Sequence, residues 1–128
     1  MSHVSALAGL KRLMKRPIVA VDPHEHVAHL ARESDRSTII LHAALVEAML
    51  LDRLEKLMPS LNGEEMKEVF DFEGPIGSFS NRIRLGHGLG VIDRNTKRSF
   101  DTIRVMRNVA AHCHDWITFT TPEIAAAI

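Results

Sequence analysis

A chain of 128 residues, 45% hydrophobic and 25% charged, carries enough apolar surface to close one core, so neither wholesale disorder nor reliance on a structural metal is expected. Cys113 is the single cysteine, which excludes an internal disulfide and points to a reducing compartment. Sixteen basic residues cancel sixteen acidic ones, which removes the whole-chain electrostatic argument for a nucleic-acid binder. No apolar run approaches the roughly 18–20 residues that span a bilayer. Near the N-terminus the basic residues Lys11, Arg12, Lys15 and Arg16 follow the apolar ones, the reverse of a secretory signal. The expectation is one soluble, cytoplasmic domain over residues 1–128, with no membrane partner.

The first element is an amphipathic helix over 4–16, with Val4, Leu7, Leu10 and Leu13 near helical spacing. Such a short basic helix is expected to dock on its own domain and not on a membrane. Asp22, Pro23 and Glu25 form a helix-start signature, with the helix running to about Arg32. From Asp35 to Met58 there is no Gly or Pro, and the segment is apolar almost all round, as in a central, buried helix. Pro59 ends it. Asn62 with Glu65 caps a short helix to about Phe70, and Glu73-Gly74-Pro75 is a turn. A fifth helix is expected over 76–90 and a sixth from Asn95 to about His112, followed by a loop or short extended piece over 116–121. Thr121-Pro122 then opens a last helix. With no period-2 alternation the fold class is all-α, a helical bundle with long central helices and short terminal ones.

Charge is unevenly distributed. Residues 33–73 hold ten acids against four bases, and residues 82–107 hold seven bases against Asp93 and Asp101. These halves can pair within the chain, pair with a second copy, or leave a phosphate-binding face. Glu47 bears on the question, because its helical neighbours Ala43, Ala44, Leu50 and Leu51 place a carboxylate in an apolar surface. A buried carboxylate needs a partner. An ion pair with an arginine from 82–107 is the expectation.

Several motifs carry no chemistry. His24-Glu25 does not open a zinc-protease motif, because position 28 is Ala. His26 and His29 alone make no site, and His112, Cys113 and His114 are adjacent residues about 100° apart on a helix, unable to wrap one ion. No metal and no cofactor are expected. Gly86-His87-Gly88-Leu89-Gly90 lacks the order and the preceding strand of a dinucleotide loop, so Gly86 and Gly90 are read as points of close helix approach. Ser78 and Ser80 have no base beside them in sequence, so no serine nucleophile is expected.

The strongest signal is Arg107-Asn108-Val109-Ala110-Ala111-His112. Asn108 and His112 stand at i, i+4, and Arg104 extends that face one turn earlier. A guanidinium suits phosphate oxygens, and a nearby imidazole can move the proton of a 2′-hydroxyl or leaving oxygen, the minimum set for metal-free RNA cleavage.

This constellation resembles the Arg-x4–6-His signature of the HEPN superfamily (higher eukaryotes and prokaryotes nucleotide-binding). Residues 30–120 are more closely similar to the mannitol operon repressor family. The matching stretches are Glu33-Ser34-Asp35-Arg36, Pro75-Ile76-Gly77-Ser78-Phe79-Ser80-Asn81-Arg82-Ile83, Leu89-Gly90-Val91-Ile92 and Ile103-Arg104-x-Met106-Arg107-Asn108-x-x-Ala111-His112. Gly86 and Gly88 depart from it, standing where the family helix favours alanine. The resemblance implies an HEPN-like helical bundle, a homodimer, and regulation of transcription through a protein partner, with no sequence-specific DNA reading by the chain itself. It also implies an alternative, a toxin-like, metal-independent endoribonuclease in which Arg107, Asn108 and His112 act on RNA. Glu33, Asp35 and Arg36 match family positions without an assigned role, and with Glu47 and Arg104 they complete the candidate binding set.

Overall fold

Residues 2–14, 24–25 and 34–128 are described by the computed structural model. They fall into two units, one within Met1–Ala31 and one within Arg32–Ile128. In the first, α1 spans His3–Met14, its start held by Ser2, whose hydroxyl accepts from the Ser5 amide at 3.2 Å. Within this unit Val4, Leu7 and Leu10 are exposed. Of the helix expected from Asp22 to Arg32, only His24 and Glu25 are described, and both are helical; the rest of it, with Glu33, lies outside the described residues.

The second unit holds α2 (Asp35–Lys56), α3 (Gly63–Phe70), α4 (Phe79–Gly88), α5 (Arg94–His112) and α6 (Pro122–Ala127). Among the described residues there is no strand, and no helix is long and apolar enough to cross a membrane. Local hydrogen bonds set the boundaries. Ser34 caps α2, and α2 stops at Lys56 because Leu57 N turns back to Leu54 O (3.1 Å) just before Pro59. The capping box at α3 forms as its spacing predicts: Glu65 N donates to Asn62 Oδ1 at 2.9 Å, and Asn62 N donates to Glu65 Oε1 at 3.0 Å.

Helix α4 starts at Phe79, three residues later than the expected 76. Residues 71–77 make a tight double turn, with Ile76 N bonded to Val69 O (2.9 Å) and Gly77 N to Gly74 O (3.1 Å), and Ser78 then caps the helix by accepting from Asn81 N. A Cβ on Gly77 would sit 2.2 Å from Asp71 O, so this path requires glycine. The expected role of the 86–90 glycines divides. Gly86 does admit a neighbour, Leu50 of α2, whose Cδ1 would lie 3.1 Å from an added Cβ. Gly90 instead has φ +74 and closes α4, Val91 N reaching Gly86 O and Gly90 N reaching His87 O, the paired bonds of a left-handed helix end.

Helix α5 begins at Arg94 and not Asn95, because Asp93 is its cap, accepting from Thr96 N at 2.7 Å. The Thr96 backbone and side chain hydrogen bonds hold the Asp93 carboxyl below the ordinary value of 3.8, against a smaller opposing desolvation. A folded-state pKa below the unfolded one adds stability above the unfolded pKa, and that contribution is lost as pH falls through the folded value. Asp93→Ala should therefore lower the melting temperature at neutral pH, and the gap to wild type should close as the pH is taken below 3.8. A gap independent of pH in thermal melts would show that the cap acts without its charge.

Helices α2, α4 and α5 pack against one another. Their core is Leu50 and Leu54 of α2, Phe79 and Ile83 of α4, and Ile92, with Phe70 from the end of α3. The expectation of a helix buried all round is corrected here. Ile39, Ala43, Leu50 and Leu54 form one buried stripe of α2, while Ile40, Leu41 and Met49 are exposed. The main neighbours of α2 are α4 and α5, and two helices cover only part of a cylinder.

Candidate functional site

Each helix of the three-helix core contributes to one polar cluster. Glu47 projects from α2, Arg82 from α4 and Arg107 from α5. Arg82 Nη1 donates to Glu47 Oε1 at 3.1 Å, and Arg107 Nη1 donates to Glu47 Oε2 at 2.5 Å. The carboxylate, 22% exposed, thus bridges two guanidinium groups. The pairing expected for Glu47 is present, with two arginines where one was anticipated.

Both arginines are held further. Arg82 is buried, and it donates through Nε to Ile76 O (3.1 Å) and through Nη2 to Phe70 O (2.8 Å), so it ties the double turn and the end of α3 to α4. Its guanidinium lies 5.9 Å from the centre of the Phe70 ring, and that of Arg107 lies 5.1 Å from the Phe79 ring. Arg82 sits on the inward stripe of α4 with Phe79, Ile83 and Gly86, all buried. Sequence reasoning placed it in the basic segment but not in the site. The available signal was that stripe, which sets a cation among apolar residues, opposite a helix with a carboxylate in the same predicament.

The other predicted residues separate. Asn108 and His112 are both exposed and stand at i, i+4 on α5, with His112 its last helical residue. Arg107 is turned about 100° from Asn108 and about 140° from His112 around the helix axis. One chain therefore presents Asn108 and His112 outward and Arg107 inward. Arg104 is half-buried; its Nε makes no hydrogen bond and lies 3.8 Å from Asp101 Oδ1, a carboxylate engaged more closely by Lys97 at 2.8 Å. Among the described residues no three His, Cys, Asp or Glu side chains gather as a metal site.

Asp35 and Arg36, matched without a role, have one. Arg36 Nη1 donates to Ala110 O and to Cys113 O (2.9 Å), and its Nη2 donates to Asp115 O (2.6 Å), so it satisfies carbonyls left free at the end of α5. Asp35 Oδ2 accepts from Phe119 N at 2.9 Å. The first turn of α2 thereby fixes the 113–119 loop.

Comparison with known proteins finds no matching family model, no matching curated protein and no matching solved structure. What the fold and site define is a class: an all-helical bundle with a partly buried Arg–Glu–Arg bridge between its three core helices.

Proposed function

We propose that the chain is a regulatory interaction protein of the mannitol-repressor type, HEPN-like in fold and cytoplasmic, which pairs with itself and modulates transcription through a protein partner without reading DNA directly. The observation that carries this reading is the state of Arg107. A phosphate-binding arginine must offer its fork to the ligand. Arg107 instead bonds Glu47 and lies against Phe79, on the core side of α5. Its place in the motif then has a structural explanation. Exposed apolar residues support the interaction role: Ile40, Leu41 and Met49 on α2, and Val105 and Val109 on α5, are contact area of the kind that partners cover.

The alternative, a metal-independent endoribonuclease, draws support from Asn108 and His112, which remain exposed on one face of α5. Purified protein with single-stranded RNA in excess EDTA separates the two. The interaction reading expects no cleavage, an Arg107→Ala variant destabilised by about 2 kcal/mol through the stranded Glu47, and His112→Ala within about 0.5 kcal/mol of wild type. Cleavage leaving 2′,3′-cyclic phosphate ends, reduced about 10²–10⁴-fold by His112→Ala, would replace it with the nuclease.

A further inference from the structure

A cavity of about 410 Å³ lies between α2, α5 and the C-terminal segment, distinct from the Glu47 bridge. Ile39, Ile103, Met106 and Phe119 give it apolar walls, and Arg98 of α5 and His42 of α2, both exposed, line it as well. Among the described residues no Asp or Glu lines it. Nearby, Asp101 is taken by Lys97 and Arg104, and among the described residues the Arg98 side chain has no ion-pair partner. The volume is within the range of small-molecule sites, roughly 300–1,000 Å³, and apolar walls with a few polar groups are their usual make-up. The Phe119 wall is positioned in advance, because Asp35 accepts from the Phe119 amide and Arg36 fixes the loop before it. A ligand would then meet a formed pocket, which lowers the ordering cost of binding.

We propose that this cavity binds a small organic anion, a carboxylate on a compact apolar body, with the body against Ile39, Ile103, Met106 and Phe119 and the carboxylate on Arg98 and the His42 imidazole. The charge pattern selects this class. A neutral apolar molecule would leave the Arg98 fork unused, and an inorganic anion would leave the apolar walls wet. A guanidinium with no ion-pair partner among the described residues can bind a carboxylate in a two-point, charge-assisted arrangement without breaking any pair seen there. The proposal is independent of whether Arg107 and His112 are catalytic.

The test uses 2-naphthoate as probe and 2-naphthamide as its neutral counterpart, titrated into the full chain and followed by calorimetry and by backbone amide resonances. Naphthoate should bind once per chain, shifting the amides of Ile39, Ser99, Ile103 and Phe119. Naphthamide should bind about 10–100-fold more weakly for want of the charge-assisted contact. Arg98→Glu, at an exposed position, should remove that advantage with the melting temperature kept. Ser99→Trp, which places an indole in the cavity from another exposed position, should abolish binding of both. Equal affinity for acid and amide, naphthoate affinity unchanged by Arg98→Glu, or shifts spread over the surface would each overturn the proposal. If Ser99→Trp disturbs folding, Arg98→Glu and the acid–amide comparison decide alone.

Discussion

Glu47→Ala should cost about 3 kcal/mol of folding stability, since removing the shared partner of a largely buried ion network strands its charges. Arg82, with 11% of its side chain exposed, and Arg107, with 28%, would be left facing each other across the α4–α5 contact with no carboxylate between them. The range for breaking a buried pair is about 3–5 kcal/mol, and the lower end applies because Glu47 and Arg107 keep some contact with water. For a domain of about 100 residues this lowers the melting temperature by roughly 12–20 °C. Urea unfolding should show a lower midpoint at unchanged slope, the mark of lost stability without a change in compactness. Glu47→Gln should fall between the two, because an amide oxygen can accept from one arginine but carries no charge. A Glu47→Ala protein as stable as wild type would mean that desolvation of the three charges already cancels their attraction. Arg107 would then be held too weakly to support the interaction reading.

Leu54→Ala is expected to cost as much for a different reason. Leu54 is 0% exposed, in the cluster with Leu50, Phe79 and Ile83, and truncation removes apolar burial and leaves a void that a close-packed interior fills only in part. Losses of about 3–4 kcal/mol follow from both terms together. Leu41→Ala on the same helix is the informative comparison. Leu41 is 45% exposed, so its truncation should change the stability of the single chain by no more than about 0.5 kcal/mol. Equilibrium denaturation of both variants at several protein concentrations checks this. A Leu41→Ala cost that grows with protein concentration would show that a second copy covers the face in solution, as the homodimer proposal requires.

Helix limits were legible in the sequence wherever they depend on neighbours a few residues apart: the Asn62–Glu65 box and the stop at Pro59 are hydrogen-bond or torsional effects that do not depend on the rest of the fold. The all-helical class followed from the same local signals. The late start of α4 was missed because Gly74 and Gly77 bend back onto the end of α3, and their requirement shows only once those carbonyls are in place. Pattern alone could not say which face of α2 is buried, because a helix apolar almost all round has no preferred direction until α4 and α5 cover one side. The candidate site divides in the same way. That Glu47 needs a cation was evident from its apolar neighbours, and helical spacing already set Arg107 apart from Asn108 and His112, but that Arg107, 60 residues away, supplies the cation was decided by packing. Arg36 stood out only through the family resemblance and its role was not legible, since the carbonyls it satisfies lie up to 79 residues further along the chain. Local chemistry determined the elements, and tertiary contact decided which side chains were left to act.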